Sequence, residues 1–147
     1  MYMEYYSIKE LRCKCCGALP SPIKENMEEL VQNVLDPARE AYAHPIYVTS
    51  GYRCPKHNAA VGGVKNSQHM AGEAADIHTG SPDENLKLAK LVVELGNYDQ
   101  LILYGPAGTM KPRFLHISWK RLGPNRHRIL KKEDGKPGYS VVSPAAL

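Results

Sequence analysis

The residues best suited to chemistry lie between Ser50 and Ile77, in SGYRCPKHNAAVGGVKNSQHMAGEAADI, where arginine, histidine and a carboxylate are gathered among glycines. His69 and Asp76 stand seven positions apart with Gly72 between them. If the chain turns at Gly72 and enters a strand at Ala74, a neutral nitrogen and an anionic oxygen meet on one ion. Two ligands do not hold zinc. The run Phe114-Leu115-His116-Ile117-Ser118-Trp119 reads as a short buried strand and offers His116 as the third. Three protein ligands with an open position characterise a catalytic zinc, whereas a structural zinc is closed by four, often cysteines. The pattern therefore points to hydrolysis. Arg53 at the head of the stretch adds a planar fork that can hold a carboxylate through two parallel hydrogen bonds. Ser67 and Gln68 suit loop shaping or polar contacts to a substrate, and Glu73 reads as a solvent-facing loop residue.

These blocks carry a resemblance. SGYR at 50–53, Asn58, GGVKNSQH at 62–69, GEAADI at 72–77, YDQLI at 98–102 and HIS at 116–118 are similar to the zinc D-alanyl-D-alanine carboxypeptidase family, including its bacteriophage cell-wall endopeptidases. The resemblance implies one zinc per chain on His69, Asp76 and His116, with Arg53 holding a substrate carboxylate. It also implies an α+β fold of the D-Ala-D-Ala carboxypeptidase/hedgehog-like type. The implied activity is hydrolysis of peptidoglycan stem peptides, either trimming a terminal D-Ala or cutting within the stem, as an endolysin does. Related enzymes place an acidic general base shortly before the last histidine, commonly three residues ahead. Here that position is Arg113, no acid lies between Gly105 and Leu115, and Tyr104 stands where related chains carry one. Asp99 is the nearest upstream carboxylate and so the candidate base, against an alternative as a turn or cap residue. Loss of the base leaves a second function class open: a zinc-containing, non-catalytic cell-wall-binding or virion module.

At 147 residues, 43% hydrophobic and 23% charged, the chain has the size and composition of one soluble domain, expected to be monomeric. No run approaches a membrane span, and the start MYMEYYSIKE lacks the basic and apolar regions of an export signal. Synthesis in the cytoplasm followed by release or delivery to the cell wall is the expectation. A formal charge of +4 favours anionic surfaces, but no nucleic-acid motif accompanies it. The basic cluster Lys120, Arg121, Arg126, Arg128, Lys131 and Lys132 reads as a solvated face. Cys13, Cys15, Cys16 and Cys54 admit three states: reduced core thiols, a disulfide from the arm to the SGYRC turn, or a second, structural metal. For a protein folding in a cytoplasm, reduced thiols rank first.

Elements must position these residues. Residues 1–22 form an irregular arm with at most one helical turn, broken by Gly17, Pro20 and Pro22. Apolar residues from Ile23 to Tyr42 recur at helical spacing, with Pro37 kinking or restarting the helix. A strand over Ile46–Thr49 leads into Arg53, and a short helix over Pro55–Val61 precedes the loop with His69. Strand Ala74–His78 is followed by helix Pro82–Leu95, started by a Ser81/Glu84 capping box and ended by Gly96. Gln100–Tyr104 and Leu115–Trp119 form a hairpin, and an edge hairpin closes the chain around Arg128–Leu130 and Tyr139–Val142. The sum is an α+β domain with a small, mostly antiparallel sheet and helices packed on one side. His44, His57, His78 and His127 fit no ligand position, although His78 shares a strand face with Asp76.

Overall fold

A computed structural model describes residues 3–147; Met1 and Tyr2, the start of the expected arm, lie outside the described residues. Helices α1 (Ile8–Leu11), α2 (Ser21–Leu30) and α3 (Asp36–Tyr42) precede strand β1 (Tyr47–Ser50) and helix α4 (Pro55–Ala60). Strand β2 (Ala74–His78), helix α5 (Pro82–Leu95) and strands β3 (Gln100–Gly105), β4 (Phe114–Ser118), β5 (Arg128–Glu133) and β6 (Ser140–Val141) complete the chain.

Pro37 does not break the long helix. Its missing N–H and its ring clash are absorbed by a π-helical turn, Val31–Leu35, that joins α2 to α3. Ser81 caps α5 by accepting a hydrogen bond from the Glu84 amide (3.3 Å), but the reciprocal half of the expected capping box is not made. The Glu84 carboxylate instead accepts from Tyr42 Oη at 2.7 Å and so ties α5 to α3.

The strands lie in the order β1-β2-β4-β3-β5-β6. All neighbours are antiparallel except β3 and β5, which run parallel with Leu101 opposite Ile129 and Leu103 opposite Lys131. The sheet is thus mixed, its antiparallel ladders interrupted by the parallel β3–β5 pair. The segment 119–127 carries the chain across to the outer side of β3, so β5 enters in the same direction as that strand.

Alternation along the strands separates packing from chemistry. Ala75, Ile77, Leu101, Leu103, Leu115, Ile117 and Ile129 point to one face, where they pack in one core with Met27, Leu30, Val31, Leu35, Leu88 and Val92 of the helices. Truncating a wholly buried member such as Leu115 costs about 2–5 kcal/mol. The intervening residues Asp76, Ile102, Tyr104, His116, Leu130 and Lys132 line a cleft of about 600 Å³ on the opposite face.

Candidate metal centre and active-site cleft

Asp76 and His116 are directly opposed in the β2–β4 ladder, so a register of strand pairing brings two distant residues together. His69 comes from the loop between α4 and β2. That loop turns at Gly72, whose φ is +72° and where a Cβ would stand 2.5 Å from Ile23 Cγ2 and 2.7 Å from Ile23 O. Only glycine lets the loop press on α2 and feed β2 at this point. His69, Asp76 and His116 are all buried, and their ligand atoms lie within 4.8 Å of one another.

Asp76 Oδ1 is 3.1 Å from His69 Nε2 and 3.4 Å from His116 Nδ1. Nitrogen and oxygen ligands about 2.0–2.1 Å from a tetrahedral zinc stand about 3.3 Å apart, which these separations match. The ring protons are drawn to the far sides. His69 Nδ1 is 2.7 Å from the Gly51 carbonyl and donates to it, leaving the Nε2 lone pair facing Asp76. His116 Nε2 lies 3.3 Å from Gln68 Oε1, which leaves Nδ1 facing the same carboxylate. The Gln68 amide is itself oriented, because its Nε2 donates to Asp99 Oδ2 at 2.9 Å. Burial lowers the pKa of His116 and favours this neutral form. Two imidazole lone pairs thus converge on a carboxylate oxygen, an arrangement of acceptors that a cation resolves.

Arg53 leaves β1 and turns back over Asp76. Its Nη2 donates to Asp76 Oδ2 at 3.1 Å, Nη1 to Asn58 Oδ1 at 3.2 Å and Nε to Ser50 Oγ at 3.0 Å. Three of five N–H groups are used, so one on each terminal nitrogen remains for a ligand in the cleft. Burial opposes ionisation of Asp76; in the metal-free protein His116 and His69 outweigh it only by turning an N–H toward the carboxylate, which holds the carboxyl well below the usual carboxylate range, and with the lone pairs inward a cation takes over that role.

Asp99 lies behind this centre. Its side chain is fully buried, and Oδ1 accepts from Arg126 N (2.9 Å) and Nε (3.0 Å) while Oδ2 accepts from Arg126 Nη2 (2.8 Å) and Gln68 Nε2 (2.9 Å). Burial alone would raise its pKa; the Arg126 and Gln68 donors bring it well below the usual range instead. Ser67 Oγ accepts from the His69 amide at 3.2 Å and shapes the loop. Glu73, partly buried, does not line the cleft. His78 and His44 pack on Tyr47 and Tyr42, and His127 on Tyr98, all apart from the centre.

A family model described as Peptidase M15 matches residues 4–118, more than three-quarters of the chain. The chain belongs to the peptidase M15 family. This bears out the resemblance to zinc D-Ala-D-Ala carboxypeptidases, and M15 peptidases are zinc-dependent metallopeptidases. No curated protein matches the chain. The M15 match ends at Ser118, before the segment that supplies Arg126, Arg128 and Lys132. Arg126 and Arg128 are exposed, as the solvated-face reading expects, but they have partners as well: Arg126 is bonded to Asp99, and Arg128 and Lys132 line the cleft. Lys131 is buried and donates to the carbonyls of Pro106 and Thr109. Sequence reasoning missed Gly51 and Arg126, whose contributions come through contacts distant in the chain. Tyr104 and Tyr139 of the cleft wall carry no motif either.

Proposed function

We propose that the protein is a zinc peptidase that hydrolyses peptidoglycan stem peptides, with zinc held by His69, Asp76 and His116. The observation that carries this reading is the convergence of both imidazole lone pairs on Asp76 Oδ1 at the floor of a cleft with a cationic wall. When bound, zinc supplies Lewis-acid polarisation of the scissile carbonyl and activates water as a nucleophile at neutral pH. Arg53 keeps Asp76 in place through Oδ2 and offers its remaining N–H groups to a substrate carboxylate. Arg128 and Lys132 extend the positive wall, and Asp76 is the one carboxylate among the described lining residues. Such a cleft selects peptides bearing free carboxylates, as stem peptides do.

Tyr104 holds its proton. Burial first, and then its hydrogen bond with Tyr139, raise its pKa above the usual phenol value, so it faces the cleft as a neutral donor. We assign it to stabilising negative charge that develops on the scissile carbonyl oxygen. Asp99 serves as a positioning residue: locked between Arg126 and Gln68, it fixes the Gln68 amide and through it the His116 tautomer.

The same saturation of Asp99 favours a second reading, a zinc-containing cell-wall-binding module of a virion or lysis system, because no carboxylate of the described cleft is free to take a proton. Mass analysis of soluble products from purified peptidoglycan separates the possibilities. Free D-Ala identifies a carboxypeptidase, shortened stem peptides an endopeptidase, and binding to the wall without new products the module.

A further inference from the structure

Outside the cleft, the structure assembles a second cluster of metal-ligating side chains. Cys13, Cys15 and Cys16 lie in a turn after α1, closed by hydrogen bonds from Gly17 N to Cys13 O (2.8 Å) and from Cys13 N to Ala18 O (2.8 Å). Cys54 follows Arg53 and caps the N-terminus of α4. The four sulfurs lie within 4.8 Å of one another, with Cys13–Cys15 and Cys15–Cys54 each at 3.5 Å. Zinc–sulfur bonds of about 2.3 Å in a tetrahedron place sulfurs about 3.8 Å apart, close to this grouping. All four are free thiols, and Cys15 and Cys16 are exposed, which does not fit the reading of these cysteines as reduced core packing. A disulfide would draw one pair together and break up this four-sulfur grouping.

Backbone amides are aimed at the sulfurs as well. Cys54 N approaches Cys13 Sγ at 3.5 Å and His57 N approaches Cys54 Sγ at 3.4 Å, the kind of outer support that metal-bound thiolates receive. From this geometry we propose that Cys13, Cys15, Cys16 and Cys54 bind a second, structural zinc that staples the N-terminal arm to the wall of the cleft. Four thiolates close the coordination sphere, so this ion has no open position for substrate, unlike the triad. An all-sulfur set also selects zinc over magnesium, calcium and manganese.

The staple has a definite position. Tyr52 N donates to Leu11 O at 2.8 Å, and a Cβ on Gly51 would stand 2.5 Å from that same oxygen, so arm and strand end are in direct backbone contact. The segment held there, Gly51–Cys54, supplies the carbonyl that orients His69 and the guanidinium that holds Asp76. The four-cysteine zinc fixes this segment through Cys54, its last residue.

The test is zinc stoichiometry of the full chain after dialysis against metal-free buffer, in wild type, His69→Ala/His116→Ala and Cys16→Ser. Two equivalents are expected in the wild type. One is expected in each variant, and in the histidine variant a mercurial thiol reagent should release it. Cobalt loaded into the histidine variant reads the ligands without any cysteine change: thiolate-to-cobalt charge transfer in the near ultraviolet is expected. That measurement stands even where Cys16→Ser fails to fold. Because the histidine variant removes the triad, failure of the triad reading and failure of this one are separable. A wild type with one equivalent that vanishes in the histidine variant would overturn the proposal. So would an intact mass showing a cysteine pair oxidised as isolated, or a cobalt spectrum lacking charge transfer.

Discussion

Replacing Asp99 by asparagine distinguishes a residue that carries a proton from one that holds others in place. The native carboxylate accepts from three Arg126 groups and from Gln68, and asparagine must present a donor to one side of that set. If Oδ1 stays with Arg126 N and Nε, the new NH₂ confronts Gln68 Nε2, and the Gln68 amide turns over. Its NH₂ then meets His116 Nε2, which favours the ring proton on Nδ1, where the lone pair for zinc should be. Loss of an outer-sphere partner of a metal ligand typically weakens metal affinity by 10–100-fold, about 1.4–2.7 kcal/mol. The broken pair adds a stability cost. Removing one partner of a buried ion pair costs about 3–5 kcal/mol; asparagine keeps the shape and Arg126 is 35% exposed, which reduces this to about 2 kcal/mol. For a chain of this size that is a fall in Tm of roughly 4–8 °C. Zinc affinity by chelator competition, thermal unfolding and turnover on a stem peptide should be measured on the same preparation. Weaker zinc, a lower Tm and a rate restored by excess zinc are expected. Native zinc affinity and Tm beside a loss of roughly 10²-fold in turnover would refute the positioning role and return Asp99 to general base.

Three further outcomes follow from the same geometry. Arg53→Lys keeps the charge but loses the fork to Asp76 and Asn58, so kcat/KM on carboxylate-bearing peptides should fall at least tenfold while zinc saturates at a moderately higher concentration; unchanged kinetics would remove Arg53 from substrate binding. Tyr104→Phe keeps the stacked ring, 4.6 Å from Phe114, and deletes the donor; kcat should drop with KM and zinc content little changed, and an undiminished kcat would exclude the assigned role. Asp76 and Asp99 both have depressed folded-state pKa values, so the stability they contribute is present above the unfolded carboxylate value of about 3.9 and is lost as pH falls below it. Acid unfolding of Asp99→Asn should accordingly show a shallower dependence on pH in that range than wild type, and identical slopes would contradict the burial and bonding of Asp99.

The sequence was most legible where local chemistry and the structure agree. β2 and α5 fall within the expected bounds because Gly72, Ser81 and Gly96 punctuate them. The triad was legible through motif spacing, and the β2–β4 register accounts for it, since Asp76 and His116 are cross-strand neighbours. What was not legible depends on pairing across long separations. Nothing local to Arg128–Glu133 states that it will pair parallel to β3, and that pairing turns a basic run into the cationic wall of the cleft. Asp99 read as a candidate base or a turn residue, and not as an ion-pair partner, because Arg126 lies twenty-seven residues on, beyond the family motifs. The choice among the three states of the cysteines was not legible, because Cys54 reaches the other three only when the arm folds against the SGYRC turn.

On the proposed function, the triad makes this chain a zinc-dependent peptidase of the cell wall. Release of new amino groups from purified peptidoglycan reads that activity, measured for wild type before chelation, after chelation and after zinc is restored, with His116→Ala beside it. Release by the zinc-loaded wild type, loss on chelation, recovery with zinc and none from His116→Ala are expected. Equal release from His116→Ala, or no release by the zinc-loaded wild type from walls of differing stem chemistry, would contradict that function.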